Sequence, residues 1–110
     1  GYKRAANILK AEAKKGELPE GAPNRPDDPH GAALYDALQT ASGKISSALE
    51  EENFEKAMLS LAELRAPIDA FFTEVQVISD DNAVKENNLR LLGLIRDTAR
   101  QIADFEAING

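Results

Sequence analysis

Cysteine is absent from this 110-residue chain. That excludes a disulfide framework, a thiolate metal site and a cysteine nucleophile, and it fits a cytoplasmic protein. Tryptophan is absent too, and histidine occurs once, as His30. No apolar run approaches the roughly 20 residues needed to cross a bilayer. The N-terminal stretch is basic and patterned as a helix, without the apolar h-region of a signal peptide. The sequence carries no GxSxG, HExxH, P-loop or GxGxxG motif. A Ser-His-Asp triad would have to use His30, which stands alone at a helix start, where a surface or capping role is the simpler reading. The Glu-x-x-His pairs of carboxylate-bridged metal sites are also missing. The expectation is a domain with no catalytic and no metal-ligating residues.

What is present suits one domain with one modest core. Apolar residues make up 43% of the chain and charged residues 29%, ordinary proportions for a globular protein. The net charge is −6, and an autonomous nucleic-acid binder is usually basic. The charge is unevenly spread, however. Residues 1–15 hold Lys3, Arg4, Lys10, Lys14 and Lys15 against Glu12 alone, whereas residues 45–74 hold seven acids against Lys56 and Arg65. The domain has a basic end and an acidic middle, so its total charge describes neither face.

Apolar periodicity predicts helices throughout. The first spans Tyr2 to Lys15, with Ala5, Ile8, Leu9 and Glu12 along one edge and Gly16 as its stop. Residues 16–29 contain four of the five prolines and read as a surface loop, ordered or partly mobile. A second helix fits His30 to Glu51, its core stripe being Leu34, Leu38, Ala41, Ile45, Ala48 and Leu49. Gly43 weakens that helix by about 1 kcal/mol against alanine, or marks a close packing contact. Glu50, Glu51 and Glu52 read as a solvated helix end, poorly placed against the negative end of the helix dipole. Asn53 can cap a third helix reaching Arg65, with Phe54, Ala57, Met58, Leu61, Ala62 and Leu64 assigned to its buried side.

The stretch Leu64 to Asp81 organises the rest. Pro67 ends one helix and can open a short one to about Glu74, and Ile68, Phe71, Phe72 and Val75 supply the largest apolar mass. Val75 to Ile78 reads as an extended connector burying Val75 or Val77. Ser79 and Asp80 offer caps for a last helix from Asn82 to Phe105. On that helix Val84, Asn88, Leu91, Leu92, Ile95, Thr98, Ala99 and Ile102 share one face, while Lys85, Leu89, Arg96 and Arg100 line its flank. Arg90 falls on the polar side, and Asn88, amid apolar neighbours, needs a hydrogen-bond partner if buried. The fold class is therefore all-α: a bundle of about four main helices plus a short connecting helix.

Three stretches, KRAANIL (Lys3 to Leu9), PIDAFFTEV with the following acidic pair (Pro67 to Asp81) and LRLLGLIRDTARQIAD near the end, carry a resemblance. The chain resembles the DALR-type anticodon-binding domain at the C-terminal end of bacterial two-subunit glycyl-tRNA synthetase beta subunits. The resemblance spans the chain apart from the loop at 16–29. It implies an excerpt of a larger protein, residues 1–110 forming a single domain that holds tRNA(Gly) and is joined through its parent chain to an alpha subunit. Chemistry using ATP and magnesium would belong to that catalytic subunit, and the domain itself would use no cofactor. Neither DNA nor membrane is an expected partner. The chain departs from the family pattern at Asn88, where an arginine is expected, and at Thr98, Ala99 and Arg100, where bulkier apolar residues are expected. The candidate RNA contacts are Lys3, Arg4 and Lys10 on the first helix and Lys85, Arg96 and Arg100 on the last, since basic side chains hold phosphates while loop bases are stacked and hydrogen-bonded. The competing reading is a helical protein–protein docking module, favoured by the acidic net charge and the scarcity of exposed aromatic platforms.

Overall fold

The computed structural model describes residues 2–109, which form five helices and no strand. They are α1 (Tyr2–Ala13), α2 (Pro29–Glu50), α3 (Phe54–Ala62), α4 (Arg65–Glu74) and α5 (Asn82–Asn109). The element order agrees with the sequence reading. The boundaries differ by a few residues, and α5 runs four residues past Phe105. At 1.5 Å per residue the 28-residue α5 is about 42 Å long, which sets the 43 Å long dimension of the domain.

Two helices hold the bundle together. α2 packs on α3, α4 and α5, and α5 also packs on α1 and α3. The core is made by Leu34, Leu38 and Ile45 of α2, Ile68 and Phe71 of α4, and Leu91, Leu92 and Ile95 of α5, all fully buried, with Leu64 between α3 and α4. The Phe71 and Phe72 rings meet edge-on, 6.0 Å apart. The pair around Pro67 is thus the apolar centre the sequence indicated. Its helix starts two residues earlier, with Pro67 inside the first turn, where its missing amide costs no hydrogen bond.

Local chemistry sets the joints. Asp28 caps α2, its carboxylate accepting the Gly31 amide at 2.6 Å; His30 is exposed and is not the cap. α2 ends in a Schellman turn in which Glu52 takes a left-handed φ of 57° and the Asn53 amide bonds the Ala48 carbonyl at 2.7 Å. Asn53 then caps α3 through the Lys56 amide, as its side chain suggested. At α5 the capping oxygen belongs to Asp81, which accepts the amides of Ala83 and Val84. Ser79 accepts the Asp81 amide instead, and Asp80 makes no such bond, so the expected cap lies one residue further on. Gly43 has nothing within 4 Å of where a side chain would begin, so it marks no close contact.

Asn88 is 2% exposed, and its amide donates to the Val77 carbonyl at 3.0 Å. This is the partner its position demanded. It also buries Val77 and seats the connector between α4 and α5. Substituting Asn88→Leu keeps the branched shape but removes the donor and orphans a buried carbonyl, so unfolding free energy should fall by about 1–3 kcal/mol. Urea unfolding of the 110-residue chain measures this directly. An unchanged midpoint would mean that the carbonyl finds another donor and that this bond does not hold the connector.

Candidate nucleic-acid interface

On α1 the residues Ala5 and Leu9 are buried and Ile8 and Glu12 half-buried, which leaves the opposite arc to solvent. Lys3, Arg4 and Lys10 are all exposed. Lys3 and Lys10, seven residues apart, lie on the same side of the helix. The one acid on α1, Glu12, is tied to Lys15 at 3.0 Å, so the outer face of α1 has no competing carboxylate of its own. Arg4 sits at the edge of this face. Its guanidinium carbon lies 4.8 Å from the centroid of the Phe72 ring of α4, within the range of a cation–π contact.

The second patch lies elsewhere. A groove of about 1440 Å³ runs between the end of α1, the start of the proline-rich loop and the first half of α5. Lys85 and Arg96 lie on its wall and are half-buried. Arg100 is exposed and stands outside it. The strip read from the sequence is therefore split, and its charge is countered. The lining contains five carboxylates (Glu12, Glu17, Glu20, Glu86 and Asp97) against Lys15, Lys85, Arg90 and Arg96. Arg96 is also engaged, its Nε donating to Asp97 at 3.1 Å. Sequence reasoning put Arg90 on the polar side; it lines the groove, and its Nε donates to the Glu20 carbonyl at 2.9 Å. No pattern in the sequence signals that residues 17 to 20 fold back over α5.

That fold-back makes the proline-rich segment an ordered strap. Leu18 packs against the core and Pro23 is buried. Asn24 and Asn87 exchange two hydrogen bonds, at 2.8 and 2.9 Å. Gly21, at φ 95°, takes a backbone conformation that a side chain would oppose. Arg25 grips Asp36 of α2 through two bonds of 3.0 and 3.1 Å. The hydrogen bond and charge of Arg25 hold the Asp36 carboxyl below its usual range, and the same contacts raise Arg25.

Compared with known proteins, the chain matches the DALR anticodon binding domain over residues 1–105. It is a member of that family. Its similarity to the glycine–tRNA ligase beta subunit of Phenylobacterium zucineum is 49% identity over 112 residues, covering 100% of this chain and 17% of that protein. The same subunit of a Ruegeria species is 49% identical over 113 residues, and that of Cereibacter sphaeroides 47%, each with 16% of its length covered. The chain thus spans about a sixth of these relatives. No solved structure matches it. Among the described residues of this DALR domain no group of three or more His, Cys, Asp or Glu side chains is placed to hold a metal ion, and no helix is long and apolar enough to cross a membrane.

Proposed function

We propose that the domain binds tRNA(Gly) at its anticodon end as part of a cytoplasmic glycyl-tRNA synthetase beta subunit. The observation that carries this reading is the match to an anticodon-binding family along nearly the whole chain, together with relatives that are glycine–tRNA ligase beta subunits. In this reading residues 1–110 are one domain of a longer subunit. The partner alpha subunit uses ATP and magnesium to attach glycine, and the domain holds the tRNA so that its acceptor end is presented correctly, a contribution of positioning. The contacts are Lys3, Arg4 and Lys10 on α1 and Lys85, Arg96 and Arg100 on α5. The α1 group carries the larger share, because no carboxylate on α1 opposes it and Arg96 is held by Asp97.

A second reading, docking against another protein surface, is favoured by Met58 and Leu59 of α3, which are 44% and 62% exposed. A salt series on labelled tRNA(Gly) binding to the two-subunit enzyme separates the two. Each lost single-strand phosphate contact flattens the log–log slope by about 0.7. A Lys3→Ala/Lys10→Ala variant should flatten it by roughly 1.4 and weaken binding, and a Lys85/Arg96/Arg100 triple alanine variant should do so less. Because phosphate contacts carry no sequence information, the first variant should weaken native and altered anticodons about equally. If neither variant changes affinity, slope or anticodon discrimination while helicity is kept, the domain does not touch the RNA and docking takes its place.

A further inference from the structure

Reading an unpaired base uses a flat group to stack on, and among residues 3–108 the aromatic rings are covered. Among residues 3–108 no aromatic ring is exposed: Phe71 and Phe72 are buried, and Tyr35, Phe54 and Phe105 are half-buried. A guanidinium can take that role, because its plane stacks on bases as an aromatic ring does. The arginines differ in how far they are free and supported. Arg25 is engaged by Asp36, Arg90 by the Glu20 carbonyl and Arg96 by Asp97. Arg65 and Arg100 are exposed, with no ring among residues 3–108 beneath them. Arg4 alone combines exposure with a fixed support, lying 4.8 Å over Phe72 with no carboxylate among the described residues pairing with it. The support is itself rigid, since Phe72 is 7% exposed and sits edge-on to Phe71 in the core.

We propose that Arg4, held over Phe72, is a stacking platform for an unpaired nucleobase of the bound RNA loop, with Lys3 and Lys10 beside it taking the backbone phosphates. The inference rests on the RNA-binding reading and assigns Arg4 a role different from that of its neighbours. The guanidinium carbon lies against the ring while the residue stays exposed. The arginine is thereby oriented before the base arrives, and little side-chain freedom remains to be lost on binding. Lys3 and Lys10 are about 10.5 Å apart along the helix, and Arg4 is turned 100° from Lys3 towards the α4 side. Phosphate contacts and base platform therefore lie side by side on α1.

The test is Arg4→Lys beside Arg4→Ala in the full two-subunit enzyme, with labelled tRNA(Gly) transcripts over a salt series. Lysine keeps the charge and the apolar stem over Phe72 but has no plane. Stacking predicts that Arg4→Lys raises Kd on the order of tenfold, nearly as much as alanine does, with the salt slope unchanged and the melting midpoint kept. A 2-aminopurine label in the anticodon loop should lose its binding-induced fluorescence change in the same variant. Binding by Arg4→Lys at wild-type strength, with only Arg4→Ala weakened and its slope flattened by about 0.7, would reduce Arg4 to a phosphate contact and overturn the proposal. If Lys3→Ala/Lys10→Ala is also silent, the failure lies with the RNA reading itself; if it still weakens binding, only the stacking role falls.

Discussion

Replacing Phe71 by alanine is expected to remove about 3–5 kcal/mol of stability, a cost typical of deleting a buried aromatic ring. Phe71 is fully buried, stands edge-on to Phe72 and sits where α4 meets α2. It belongs to one fully buried cluster with Leu34, Leu38, Ile45 and Ile68, drawn from α2 and α4, so collapse around the void should be limited. The whole stability of a domain this size is of order 5–15 kcal/mol. A melt followed by circular dichroism should therefore shift down by on the order of 20 °C. A drop of only a few degrees would mean that α4 slides into the space and that the aromatic pair is not the centre of the core. Phe71→Leu, which refills most of the volume, should recover the larger part of the loss.

The next largest effect is expected at Gly31. A side chain starting there would lie 2.6 Å from an Asp28 carboxylate oxygen and 2.8 Å from the Pro26 ring. The same carboxylate caps α2 through the Gly31 amide. Gly31→Ala must push the cap aside or shift the strap, and either costs about 2 kcal/mol. Gly43→Ala on the same helix is the control: it meets nothing within 4 Å and should gain up to about 1 kcal/mol from helix propensity. Opposite signs for two Gly-to-Ala changes in one helix, read from urea midpoints, would separate crowding from backbone entropy. Equal signs would refute the crowding at Gly31.

These residues also mark what the sequence could convey. The α2 stripe was legible residue by residue, because α2 presents repeated large apolar side chains at helical spacing. So was the Phe71/Phe72 anchor, and the need of Asn88 for a partner. Side assignments were less secure where the neighbours decide them. Met58 and Ala62 of α3 were placed inside but are exposed, since that face of α3 has no helix against it. Leu89 was placed on the flank of α5 and is 4% exposed. α5 is touched by α1, α2 and α3, and a helix covered on several sides buries a wider arc than one stripe predicts. Val84 lies in the first turn of α5 and is 46% exposed. Of the candidate contacts, the basic face of α1 was legible because it is local. The charge around Lys85 and Arg96 was legible only in part: Glu86 and Asp97 are their neighbours in sequence, whereas Glu17 and Glu20 arrive from a strap distant in sequence.

The strap has a consequence for how the chain reaches this structure. Its bonds to α5 join residues 63 and 70 positions apart, whereas the turn between α2 and α3 closes within five. Closing so long a loop has an entropic cost that is recovered only once α5 already lies on α2. The strap is therefore expected to dock late, after the rate-limiting step, which stopped-flow refolding of strap variants would check. Loosening it through Asn24, Asn87 or Arg90 would leave the folding rate almost untouched and would appear almost wholly as faster unfolding.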